Sequence, residues 1–280
     1  MPSTSRDSVA QLSMLMKPGA TQLAASMPPW VQDGGVDAML KRLKDPADVA
    51  RIKKEMLQPG SNWENLYLHA GPQGVLLASL VEPSLKPLMG KTVAEVAKQR
   101  GVSPEQAVID LVLADKGRSG AIYFLMDEDN VRKEAALPWV SFGSDGEASA
   151  PEGVFLKSST HPRSYGNFAR FLGKYVRDEK VTTLADAVRR LSALPASNLS
   201  LHDRGQLKPG MAADIVIFDP ATIADRSTFA KPMQFATGVN DVFVNGVQVL
   251  KDGTPTGAKP GKFVKGAGWT GWPGGGACKP

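Results

Sequence analysis

Hydrophobic positions change period several times along the chain. Between residues 36 and 57, Met39, Leu40, Leu43, Val49, Ile52 and Met56 recur at helical spacing, which predicts helix. The Asp45-Pro46 step divides that helix, because a residue before proline is pushed out of helical backbone. Residues 1–35 carry three prolines in MKPGATQLAASMPPW and close on QDGG, which predicts irregular chain. NLYLHA and GVLLASL are short apolar runs and predict strands.

From residue 90 the punctuation is clearer. Thr92 and Glu95 have capping-box spacing, and Ser103 with Pro104 and Gln106 starts AVIDLVLADKG. GAIYFLM then predicts a strand, DEDNVRKEAAL a helix whose first turn is acidic, and WVSFGSD a second strand. Both strands are apolar almost throughout rather than alternating, so strand, helix, strand predicts a parallel βαβ unit covered on both faces. A long loop over about 146–166 follows, then helices in FARFLGKYVRDE and TLADAVRRLSAL, the second opening at Thr183 and Asp186 with a Leu184, Val188, Leu191 stripe. Beyond Gly205 the pattern turns to β: ADIVIFDP predicts a strand, and DVFVNGVQVLKDG a hairpin with Asn245-Gly246 as its type I′ turn.

Composition narrows the class. The 280 residues have 42% hydrophobic and 22% charged content, that of a soluble globular protein. The net charge of +5 comes from scattered residues in helical patterns, so a solvated face is favoured over nucleic-acid binding. No apolar run approaches the roughly 18 residues of a membrane span, and no signal peptide is visible; the compartment stays open. The one cysteine, Cys278, excludes a disulfide framework and a cysteine zinc cage within the chain.

Candidate chemistry centres on WVSFGSDG. Sites in parallel α/β folds lie where loops leave the carboxyl ends of strands, and Asp145 stands there among the small residues Gly143, Ser144 and Gly146. Position alone leaves two roles open, a turn cap or a site residue. Arg163 in THPRSYG offers a planar fork suited to a carboxylate, although a surface ion pair is the commoner fate of such a residue. His161, before proline, fits a loop anchor. His69 fits a core histidine, and His202 a structural or exposed one. H-x-H, H-E-x-x-H, G-x-S-x-G and phosphate-loop motifs are absent.

Longer stretches add a resemblance. GAIYFLMDEDNV, GSDG, HPRSYGNFARFLGKYVRDE, LADAVRRLSALPASNLSLHDRGQLKPGMAADIVIFDP and VNDVFVNGVQVLKDG, together with ATQLAASMPPWVQDGG, resemble in order the carboxyl-terminal part of N-acyl-D-amino-acid deacylases (D-aminoacylases) of the metal-dependent amidohydrolase superfamily. The resemblance implies an α/β fold, part of a (β/α)8 barrel (its late strands and helices) followed by a small antiparallel β module. It implies barrel over 18–204, β-sandwich module over 205–252 and a Gly/Pro-rich tail over 253–280, with 1–17 unrecognised. It implies zinc-dependent hydrolysis of an N-acyl-D-amino acid, with Asp145 as catalytic acid/base and possible metal ligand. Arg163 would clamp the substrate carboxylate, and Ser144 and His161 would line the site. The family's H-x-H and most other zinc ligands are not in these residues. The chain is therefore expected to be a truncated part of such an enzyme, holding about three of the barrel's eight units, with open strand edges. The alternative is a non-catalytic remnant or subunit that needs a partner, the missing half or an oligomer.

Overall fold

The computed structural model describes residues 12–13, 18–60, 62–157 and 160–265. Most of the segment 1–17, the end of the tail and Cys278 lie outside the described residues. Strand β1 (Leu12–Ser13) precedes β2 (Pro18–Gln22). Single turns of 3-10 helix at Leu23–Ser26 and Pro29–Gln32 lead to α1 (Val36–Arg42) and α2 (Pro46–Met56). Asp45 caps α2 by accepting from the amides of Ala47 and Asp48, with Pro46 at the first helical position, so the predicted break falls where the chain places it. Next come α3 (Leu66–Ala70), β3 (Val75–Ser79), α4 (Val93–Arg100), α5 (Pro104–Ala114) and β4 (Gly120–Phe124). Both halves of the Thr92–Glu95 capping box form. Ser103 accepts from the amide of Gln106, whose side chain turns instead to Asp110.

The structure departs from the sequence pattern at three places. The span 18–35 is not irregular: Pro18 and Gly19 open an edge strand, the one sheet position where proline's missing N–H is harmless. NLYLHA is helical, because buried Asn65 accepts from the amide of Leu68 while its own amide donates to the carbonyls of Met56 and Gln58. This capping places His69 on an exposed helical position. Finally, β4 is not the parallel neighbour of the strand at 141–142. It pairs antiparallel with β2 on one edge and β3 on the other, so neither edge is left for a parallel partner.

After β4 come α6 (Glu128–Ala136), β5 (Ser141–Phe142), a 3-10 turn at Gly153–Lys157, and α7 (Arg163–Arg170), which runs into a π-helical stretch over Phe171–Asp178. β5 pairs in parallel with β1. Helices α8 (Leu184–Leu191) and α9 (Ala193–Asn198) lead to the antiparallel sheet β6 (Ile215–Phe218), β7 (Val239–Val244), β8 (Val247–Lys251) and β9 (Thr254–Pro255). The β7–β8 turn has φ 48° at Asn245 and 80° at Gly246, as the Asn-Gly pair requires.

Two apolar cores form. The first gathers Leu23, Ile52, Met56, Leu77, Val108 and Leu111 under the β2–β4–β3 sheet. The second joins Val131 and Val140 to Phe142, Phe171, Tyr175 and Ile223. The second core surrounds Arg190, whose side chain is fully buried. Its guanidinium donates to the carbonyls of Ala135 at 2.6 Å, Val140 at 2.8 Å and Glu134 at 3.3 Å, and lies over the Phe142 ring at 4.6 Å. Asp186, 3.6 Å away, balances the charge. A second polar cluster ties α6 to the π-helical stretch, where Glu128 accepts from Lys174 and from the hydroxyl of Tyr175 at 2.8 Å.

Arg190→Met would leave at least two buried carbonyls without a donor, at about 1–3 kcal/mol each. Urea unfolding is expected to show a loss of about 3 kcal/mol, and an unchanged midpoint would contradict this role. Glu128 gives a separate test. Burial favours its neutral form, yet the bonds from Lys174 and Tyr175 and the Lys174 and Arg170 charges outweigh this and hold its pKa near 2, against 4.5 for a free carboxyl. A depressed carboxyl contributes stability above its unfolded pKa and loses it as pH falls through the folded one. Stability should therefore drop between about pH 4.5 and pH 2, with a shallower acid slope in Glu128→Gln.

Candidate active site

β5 is only two residues long, and both are buried. Past Phe142 the chain turns sharply and delivers Asp145 with φ 46°, a left-handed backbone that Asp tolerates better than most residues. Gly146 makes the turn possible. A Cβ there would stand 2.9 Å from the Cα of Ser164 and 2.8 Å from its Oγ, so the turn lies directly on the start of α7. Ser144 closes the turn by accepting from the Gly146 amide at 3.3 Å. Asn167, almost fully buried on α7, donates from Nδ2 to the carbonyl of Gly143 at 2.9 Å.

Arg163 opens α7, with Asn167 one turn further along the same helix face. Its Nη2 lies 2.9 Å from Oδ2 of Asp145. The arginine side chain is 10% exposed and that of Asp145 is 64% exposed, so the cation is anchored and the carboxylate faces solvent. His161 is buried, and its Nδ1 accepts from the backbone amide of Arg163 at 3.0 Å. That bond assigns the ring proton of the neutral form to Nε2. The ring meets Phe229 edge-on at 5.3 Å, and Phe229 meets Phe124 at 5.1 Å. The four residues singled out in the sequence, Ser144, Asp145, His161 and Arg163, thus gather where the β5 turn meets the start of α7. His202 is exposed in the loop after α9, and His69 lies on α3.

Three further residues shape this place: Gly146, Asn167 and Phe229. Asn167 was within reach of sequence reasoning, since it stands four residues after Arg163 in RSYGN. Nothing local marks Phe229, which arrives from the segment between β6 and β7. The residues present do not by themselves fit a zinc site. Asp145 is turned onto a guanidinium, and among the described residues no group of three or more His, Cys, Asp or Glu could hold a metal.

A cavity of about 480 Å³ opens beside Arg163, between α7 and the β6–β7 strands. A larger one of about 660 Å³ lies against the start of α8 and includes none of these four residues.

The amidohydrolase family model matches residues 88–250. The chain belongs to the amidohydrolase family. It is 41% identical over 177 residues to the D-aminoacylase of Alcaligenes xylosoxydans xylosoxydans, covering 63% of this chain and 34% of that protein. It is 38% identical over 176 residues to the N-acyl-D-aspartate deacylase of the same organism, covering 62% and 33%. Among solved structures, a D-aminoacylase described as defining a novel subset of amidohydrolases superposes with a TM-score of 0.64 at 31% identity, over 89% of this chain and 41% of that one. The N-acyl-D-glutamate deacylase of Bordetella bronchiseptica, complexed with zinc and a phosphonate mimic of the tetrahedral intermediate, gives 0.57 at 34% identity, over 68% and 38%. The chain spans about one third of the length of the curated relatives it matches. Ser144, Asp145, His161 and Arg163 all fall within the span matched by the amidohydrolase model.

Gly146→Ala tests how closely this turn is held. The added methyl must displace the backbone of Ser164, so a loss of about 1–3 kcal/mol is expected in thermal or urea unfolding. A variant as stable as the parent would show that the turn has room to move.

Proposed function

We propose that this chain supplies the carboxyl-terminal share of a zinc-dependent hydrolase that cleaves N-acyl-D-amino acids to a carboxylate and a free D-amino acid. In this reading residues 18–204 provide late units of a (β/α)8 barrel, 205–252 a β-sandwich module and 253–280 a tail, with 1–17 unassigned. The reading requires zinc ligands other than those the described residues can assemble.

The observation that carries the reading is the 2.9 Å approach of Asp145 to Arg163. In an N-acyl amino acid the amide nitrogen and the carboxylate carbon are both bonded to the same α-carbon. A cation that grips the carboxylate must therefore stand beside the group that handles protons at the amide. Arg163 presents a planar fork matched to a carboxylate. Asp145, once released from it, takes a proton from the attacking water and returns it to the leaving amine. Gly146, Asn167 and the Nδ1 of His161 keep these two side chains in register, and Ser144 lines the approach. The ordered motifs, together with relatives named for D-aminoacylase and N-acyl-D-amino-acid deacylase activity, support this substrate class.

A second reading, a non-catalytic subunit, draws on the lack of a metal-holding group among the described residues. Hydrolysis of N-acetyl-D-amino acids with added zinc separates the two. It should be measured for the purified chain and for the chain fused to the amino-terminal part of the Alcaligenes D-aminoacylase. The hydrolase reading expects an active fusion. Asp145→Asn should lower its kcat about 100-fold or more, and Arg163→Lys should act mainly on KM. A folded, zinc-loaded fusion without activity would overturn it. Activity of the 280-residue chain alone, lost in Asp145→Asn, would dismiss the non-catalytic reading.

A further inference from the structure

Between β6 and β7 the chain makes an excursion that Ala224 and Thr237 close at its root, exchanging backbone hydrogen bonds of 3.1 and 2.9 Å. Thr228 and Lys231 exchange a second pair at its tip, of 3.1 and 3.2 Å, which puts Phe229 and Ala230 at the bend. Buried Ser227 donates to the carbonyl of Pro232, and the Gln234 side chain donates to the carbonyls of Arg226 and Lys231, both at 2.7 Å. These bonds make the segment a braced finger. It meets α7 and the residues just before it at three points. Asp225 pairs with Arg170 at 3.2 Å, Phe235 meets the Tyr165 ring at 6.2 Å, and Phe229 meets the His161 ring at 5.3 Å. Phe229 also meets Phe124, the last residue of β4, at 5.1 Å.

The contact with His161 has the most consequence. Arg163 is the first residue of α7, and an amide at that position has no acceptor within its own helix. The Nδ1 of His161 supplies one at 3.0 Å. The torsion that turns an imidazole ring is broad and roughly two-fold, so it does little by itself to keep Nδ1 on that amide. Turned over, the ring would present a carbon there. A neighbouring ring in edge-to-face contact, at an interplanar angle of 83°, resists such a turn. We propose that Phe229 is a positioning residue: from the β module it holds the His161 ring with Nδ1 on the Arg163 amide, and so fixes the first turn of α7 that carries Arg163. Its part in catalysis rests on the reading that Arg163 grips the substrate; its hold on His161 does not.

The test is NMR of the whole chain with isotope-labelled histidine, the His161 signals being assigned from His161→Gln. In the parent the neutral His161 ring should carry its proton on Nε2, and the Arg163 amide should exchange slowly with solvent. Phe229→Ala should mix the two ring tautomers and speed Arg163 exchange about tenfold or more, while the amides of Val108 and Leu111 in the first core keep their rates. Phe229→Tyr, which keeps the ring, should restore both readings. If Phe229→Ala does not fold, Phe229→Leu keeps bulk at the position without the ring. Unchanged tautomer and exchange in a folded variant, faster exchange spread evenly over both cores, Phe229→Tyr behaving like Phe229→Ala, or loss of the fold in both Phe229→Ala and Phe229→Leu would overturn the proposal. In the fusion with the Alcaligenes amino-terminal part, Phe229→Ala should raise KM about fivefold or more with kcat within about twofold, and an unchanged KM would remove the role in catalysis. An inactive fusion would sink the hydrolase reading alone, since the NMR readings decide the hold on His161.

Discussion

A guanidinium with no solvent exposure sits at the centre of everything that positions this site. Arg190 lies on α8, yet its donors reach carbonyls at the end of α6 and at the entry to β5. A buried charge is costly unless its donors are used, and here they bridge two chain segments that no backbone ladder joins. Its flat face rests on Phe142, and the Phe142 ring lies 4.1 Å from that of Phe171. The two-residue strand β5 has few backbone bonds of its own. It is held from one side by Arg190 and from the other by Asn167, and Asp145 follows three residues after Phe142. Its placement is therefore inherited from α7 and α8 more than from a sheet.

The β module takes part in the same packing. Ile223, in the segment between β6 and β7, belongs to the second core, and its carbonyl accepts from Arg177 at 2.6 Å. Gly173 permits this approach, because a Cβ there would come within 2.5 Å of that carbonyl oxygen. The π-helical stretch brings Lys174 and Tyr175 together onto Glu128. π-helical turns often occur at functional sites. Here the stretch joins α6 to the helix that begins with Arg163. Phe229, from the same inter-strand segment as Ile223, then packs on His161. The module thus buttresses the site from outside the elements that carry it.

What was legible in the sequence was local. Thr92, Ser103, Asp45 and Thr183 announce helix starts because each cap bonds within three residues of itself, and Asn245-Gly246 announces its hairpin for the same reason. The antiparallel setting of β4 was not legible. Its apolar run fits any strand covered on both faces, and only partners far off in sequence decide its direction, β2 about a hundred residues before it and β3 roughly forty-five. Asn65 shows the same limit at shorter range: its cap depends on carbonyls of α2 as well as on its own helix. At the site, Asp145 and Arg163 could be picked out by position and motif. Their contact could not, because it spans a loop of seventeen residues whose path the sequence leaves open.

The asymmetry of that contact decides how the site can work. Arg163 is fixed by burial and by its place at the start of a helix, whereas Asp145 is exposed on a turn with left-handed backbone. In the proposed reading, an anion that reached the guanidinium would displace the exposed partner, Asp145. On that reading the anion would fix one end of the ligand and release the nearby carboxylate from its cation. Gripping the ligand and freeing the proposed base would then be one event, set by the single guanidinium that Asp145 contacts.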